Sequence, residues 1–179
     1  MAPSAAARTV RMGTATARWV IGATVLGSGI AFLDGTVVNV ALPAIARNLH
    51  AGVAGLQWTV DSYLITLTSL MLLGGSLGDI YGRRRLFVAG LGAFGASSAL
   101  CALAPSIGVL IAARAVQGMA GALLVPSSLS IISATFHPDD RARAVGAWSG
   151  LAGVSTAVGP FLGGWLVDTG SWRIGRAHV

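Results

Sequence analysis

Three ionisable residues lie where ionisable residues are expensive. Asp34, Asp61 and Arg114 each fall inside a long apolar stretch of a 179-residue chain. A charge at such depth costs at least about 2.5–3.5 kcal/mol on insertion scales, so it faces protein or a water-filled cavity rather than lipid. A carboxylate in that setting can exchange a proton or hold a cationic substrate. A cation beside it favours the charged form and burial favours the neutral acid, so a site that alternates between two exposures can switch between the two. Asp34 or Asp61 is the candidate for that exchange, with Arg114 tuning it. Two plainer readings stand beside it: a static ion pair that only holds helices together, and an Asp61 that simply lies in the membrane interface near a helix end.

Five apolar stretches must position these residues, at about 19–42, 56–77, 86–103, 107–132 and 144–167. Each is close to or above the ~20 residues a helix needs to cross a bilayer. The composition agrees: 54% hydrophobic and only 10% charged residues, with a mean hydropathy of +0.75. That leaves too little polar surface for a water-soluble domain. The stretches do not alternate with period two, which excludes barrel strands, and their many glycines suit close helix packing in lipid. The expected fold class is therefore an all-α membrane protein. A signal-peptide reading of the first stretch is set aside, because it is too long for an h-region, contains Asp34 and Asn39, and is followed by four more spans.

Every acid is Asp and every base is Arg, six and twelve of them, for a net charge of +6. The bases sit between apolar runs rather than on a soluble face, so topology explains them better than nucleic acid does. Arg8, Arg11 and Arg18 precede span one, Arg83, Arg84 and Arg85 follow span two, and Arg141 and Arg143 precede span five. The opposite loops hold only Arg47 and the uncharged Ala104-Pro105-Ser106. This alternation places the N-terminus in the cytoplasm. With spans one, three and five running outward, Asp34 lies ~12 Å, Asp61 ~6 Å and Arg114 ~10 Å from the outer ends of their helices, at 1.5 Å per residue. All three then sit at a similar height. Trp19, Trp58 and Trp172 fall near span ends, as interfacial anchors do. A substrate-stacking role for Trp58 or Tyr63 is a weaker alternative. His137, Asp139 and Asp140 beside Pro138 read as a solvated turn, not a metal site. The single Cys101 lies in an apolar run and allows no disulfide framework. There is no phosphate-binding Gly-x-x-x-x-Gly-Lys loop and no catalytic constellation, so neither an enzyme nor a cofactor is expected.

Four motifs in register then carry a resemblance. Gly75-Ser76-Leu77-Gly78-Asp79-Ile80-Tyr81-Gly82-Arg83-Arg84-Arg85 resembles the loop signature between helices two and three of the major facilitator superfamily, departing at Ile80, where the family usually has a base. Leu33-Asp34-Gly35-Thr36-Val37-Val38-Asn39-Val40-Ala41-Leu42-Pro43 resembles the first-helix signature of its fourteen-helix drug:proton antiporter branch. Arg114 to Ala122 resembles the fourth-helix signature. Gly146 with Gly159-Pro160-Phe161-Leu162-Gly163-Gly164 resembles the fifth-helix antiporter signature, with Ser155 where Gly is common.

The resemblance implies a multi-pass plasma-membrane transporter for multidrug efflux, driven by the proton gradient and exporting amphipathic, often cationic, small molecules. In it Gly75, Asp79, Gly82, Arg83 and Arg84 would form a gating loop. Gly159, Pro160, Gly163 and Gly164 would bend helix five to seal one side of the cavity. Such transporters are built from six-helix halves, so the expected organisation is a cytoplasmic tail at 1–18, five helices of an incomplete N-terminal half at 19–173, and a missing second half as partner. Residues Ile174-Gly175-Arg176-Ala177-His178-Val179 are what ATC GGA AGA GCA CAC GTC encodes, a string resembling sequencing-adapter DNA, and are expected to be an artefactual tail. The alternative is a truncated, non-transporting membrane fragment, or one that assembles with a partner.

Overall fold

A computed structural model describes residues 9–169. The expectations for Arg8, Trp172, Arg173 and the 174–179 tail lie outside those residues. Five helices follow one another: α1 (Ala15–Leu49), α2 (Val53–Tyr81), α3 (Arg83–Leu103), α4 (Ile107–Thr135) and α5 (Pro138–Thr169). All five are long and apolar enough to cross a membrane. Even α3, with 21 residues, spans about 30 Å at 1.5 Å per residue, the thickness of a bilayer's hydrocarbon core.

Local chemistry sets the boundaries. The Thr14 hydroxyl accepts the Ala17 N–H and caps α1, so the helix begins ahead of the apolar run. Ser106 caps α4 in the same way through the Val109 N–H. Pro138 opens α5, where its missing N–H costs nothing, and Asp139 and Asp140 follow in the first turn, where carboxylates suit the helix dipole. The turn expected at His137–Asp140 is thus the start of a helix. Gly82 alone separates α2 from α3; its φ of 93° and ψ of 122° suit glycine and not an L-residue.

In the packing, α2 lies along α4, α1 along α5, and α3 against α4, with α1 also touching α4 from Ala17 and Ile21 near Ile132 to Ile45 near Leu110. Glycine makes the α2–α4 contact close. A Cβ on Gly118 would run into Thr66 and the Tyr63 carbonyl, and one on Gly74 into the Ala122 carbonyl.

Residues ahead of α1 strap the arginine-rich end. The Val10 N–H donates to the Thr135 carbonyl at 2.8 Å, and the His137 N–H donates back to the Val10 carbonyl at 3.1 Å. The Met12 N–H donates to Asp140 Oδ2 at 3.0 Å, and Arg11 lies 3.4 Å from Asp139. Val10 and Met12 cover an apolar cluster of Ala17, Ile21, Ile132, Phe136, Ala144 and Trp148. The starts of α1 and α5 and the end of α4 are therefore joined at one end of the bundle.

Candidate functional site

The centre of the bundle holds a charged network. Arg114 on α4 is only 2% exposed and Asp34 on α1 only 18%; Arg114 Nη1 meets Asp34 Oδ2 at 2.5 Å. The guanidinium is held on every side. Its Nε donates to the Thr59 carbonyl on α2 at 3.2 Å, Nη1 also donates to Gln117 Oε1 at 2.6 Å, and the plane lies 4.2 Å from the centre of the Tyr63 ring. Tyr63 is fixed in turn by its hydroxyl, which donates to the Ala31 carbonyl on α1 at 3.2 Å. Gln117 Nε2 donates to Asp34 Oδ1 at 3.2 Å and to Ser98 Oγ on α3 at 2.7 Å. Four helices thus contribute to one connected polar cluster.

A cavity of about 210 Å³ lies beside it, lined by Asp34, Val38, Thr59, Cys101, Arg114 and Gln117 among others. That is below the ~300 Å³ at which drug-sized sites begin, yet several times the ~30 Å³ share of a water molecule. Its size suits water and not a drug.

Asp61 is not part of this network. It makes no ion pair or side-chain hydrogen bond among the described residues. The buried face of α2 carries Thr59, Ser62 and Tyr63; Asp61 is ~200° around the helix from Thr59 at 100° per residue. It shares its side of α2 with the exposed Trp58, Ile65 and Leu72. Of the three, the structure brings together only Asp34 and Arg114.

At the arginine-rich end, Arg83 bonds Asp79 through Nε at 3.2 Å and Nη2 at 3.0 Å, and its Nη1 reaches the Ser130 carbonyl on α4 at 3.0 Å. Arg83 therefore ties the α2–α3 link to α4. Arg84 is exposed and, with Arg83, borders a larger apolar cavity of about 720 Å³ between α1, α3 and α4. Gly75 faces Pro126 of α4 at an ordinary contact distance.

On α5, Gly159 and Gly163 are buried against α1. A Cβ on Gly159 would strike Thr36, and one on Gly163 would come within 3.3 Å of Val37 and Val40. Pro160 is exposed and α5 stays helical through it, while Gly164 faces open space. The fifth-helix glycines thus pack on the segment of α1 just after Asp34.

Sequence reasoning singled out neither Gln117 nor Ser98 for the site, and gave Tyr63 another role. The signal for Gln117 was its place three residues after Arg114, on the same helix face.

The sequence also matches a known family. The sequence model of the Major Facilitator Superfamily matches residues 24–175. The chain is 45% identical over 152 residues to the multidrug resistance protein Stp of Mycobacterium tuberculosis (strain CDC 1551 / Oshkosh), covering 84% of the chain and 28% of that protein. It is 39% identical over 172 residues to the tetracenomycin C resistance and export protein of Streptomyces glaucescens, covering 96% and 32%. It is 43% identical over 150 residues to the methylenomycin A resistance protein of Bacillus subtilis (strain 168), covering 83% and 32%. The chain therefore spans about a third of the length of these curated relatives. Five membrane-length helices and a match over most of the chain lead to one assignment: this is a multi-pass membrane protein that belongs to the Major Facilitator Superfamily, a family of transporters.

Proposed function

We propose that the chain serves as the N-terminal part of a proton-coupled exporter of amphipathic, often cationic, small molecules. One observation carries the reading: Asp34 and Arg114 are paired within membrane-spanning helices beside a cavity of about 210 Å³. A membrane carboxylate held against a buried guanidinium, with room for water alongside, is suited to taking and releasing a proton. The relatives, named as resistance and export proteins, support drug-like cargo. In this reading Asp34 is the proton-exchanging group and Arg114 its counter-charge. Asp61, on the other side of α2, faces the rest of the transporter or its cargo. Asp79 and Arg83 hold the gating loop to α4, with Gly75, Gly82 and Arg84 completing it. Gly159 and Gly163 let α5 move closely over α1, with Pro160 and Gly164 on the far side.

The N-terminus lies in the cytoplasm of a plasma-membrane protein. Support comes from the arginines at the starts of α1, α3 and α5 (Arg18, Arg83, Arg84, Arg85, Arg141 and Arg143), which share one end of the bundle with the strap around Val10. The test is export by a complete transporter carrying this chain. Asp34→Asn should abolish proton-driven export, and Asp61→Asn should alter cargo preference or affinity. Unchanged proton-coupled export in both variants would refute the proposal.

A further inference from the structure

The Gln117 carboxamide has four hydrogen-bonding positions, and all four are used. Its oxygen accepts from Arg114 Nη1 at 2.6 Å and from the Cys101 thiol at 3.5 Å. Its nitrogen donates to Asp34 Oδ1 at 3.2 Å and to Ser98 Oγ at 2.7 Å. Chemistry fixes this orientation. A guanidinium only donates, so the amide oxygen must face Arg114, and an ionised carboxylate only accepts, so the amide nitrogen must face Asp34. Arg114, Gln117 and Asp34 thereby close a ring, because Arg114 also donates to Asp34 Oδ2.

Every contact in the ring is met at full strength only while Asp34 is ionised. A proton on Oδ1 would point a donor at the donor group of Gln117, and a proton on Oδ2 would point one at Arg114. Flipping the amide brings its oxygen to the new O–H but turns its NH2 against Arg114, which has no acceptor. Turning the O–H into the cavity keeps both oxygens as acceptors but leaves only the weaker hydrogen bonds of a neutral acid against a buried guanidinium. Ser98 can donate or accept, so it anchors the amide to α3 in either orientation and does not relieve the conflict.

We propose that Gln117 is a positioning residue that converts proton uptake at Asp34 into loosening of α1 from α4. It makes the contact between the two helices depend more steeply on the charge of Asp34 than a simple ion pair alone would. Ser98 holds the switch to α3. The inference rests on the reading of Asp34 as the proton-exchanging group.

Cys101 is the chain's single cysteine, lines the same cavity and bonds the same amide, so its thiol reports on the ring. The experiment is the rate of maleimide labelling of Cys101 in lipid nanodiscs at one fixed pH. The variants are Asp34→Asn, Gln117→Met and the pair combined. Asn at position 34 places an N–H2 where the proton would be, and so imposes the conflict without changing pH.

With Gln117 present, Asp34→Asn should raise labelling by about tenfold or more, the scale of losing hydrogen bonds to charged groups. In the Gln117→Met background it should add less than about twofold, the residue of a coupling that has been removed. Equal factors in both backgrounds, or no change in either, would overturn the proposal. If Gln117→Met loses helix content by circular dichroism, the same cycle with Gln117→Asn decides, since the shorter amide keeps a polar group on α4 but no longer spans Arg114 and Asp34; equal factors there overturn the proposal as well. Export that is insensitive to Asp34→Asn would remove the proton-exchange reading itself; equal factors in the labelling cycle would remove only the role of Gln117.

Discussion

Removing the Arg114 side-chain charge is the perturbation with the largest expected effect on the fold. Arg114 is 2% exposed and serves α1, α2 and its own helix at once, through Asp34, the Thr59 carbonyl, Gln117 and the Tyr63 ring. Arg114→Met keeps most of the volume but leaves Asp34 inside the bundle with no counter-charge. Breaking a buried pair from one side costs roughly 3–5 kcal/mol, because the remaining charge is uncompensated. Asp34 is 18% exposed beside a cavity that admits water, so the lower end, about 3 kcal/mol, is the better expectation. Replacing both partners removes the orphaned charge as well as the attraction. The double variant Asp34→Asn with Arg114→Met should therefore lose only about 1–2 kcal/mol, the share of the Thr59 and Gln117 hydrogen bonds. The assay is reversible unfolding of the chain in mixed micelles by SDS titration, followed by helix content and by near-ultraviolet signal. The single variant should be clearly less stable than the double. If the two are equally destabilised, the pair is not a desolvated ion pair and the electrostatic argument for the site fails.

Two further outcomes follow from the backbone and the close contacts. Gly82→Ala should cost about 1–3 kcal/mol, the range for a residue held in a glycine-type conformation, seen as a lower SDS midpoint with unchanged helix content. Gly159→Val should force α5 away from Thr36 on α1 and cost about 1–3 kcal/mol by overpacking, whereas Gly164→Val, in open space, should leave the midpoint unchanged.

Much of the architecture was legible because a bilayer imposes a simple code: length and hydropathy mark the spans, and arginine asymmetry marks the ends. Depth along the helix was open to estimate, at 1.5 Å per residue, which puts Asp34, Asp61 and Arg114 at a similar level. Azimuth was not. Whether Asp61 points inward depends on which face of α2 meets α4, and that is settled by Gly118 and Gly74 meeting carbonyls across the interface. Gln117 escaped notice because it is neutral; a search for charge passes over an amide, although the amide completes the ring. Ser98 has no sequence signal, since a hydroxyl in a membrane helix ordinarily bonds its own backbone. The strap formed by Val10 and Met12 was equally invisible, because a pair of hydrogen bonds from an irregular segment leaves no periodic trace. The α5 glycines divide by register: 159 and 163 are one turn apart and face α1, while 164 is a further 100° around the helix.

The central claim is that Asp34, held by Arg114, is the group whose proton drives export. The most direct measurement is proton movement into or out of vesicles, followed with a trapped pH dye, when a gradient of a transported cation is imposed on a complete transporter carrying this chain. The account predicts proton flux opposite to cargo flux in the natural protein and its loss in Asp34→Asn, with cargo binding retained. Cargo-driven proton flux that persists in Asp34→Asn would contradict it.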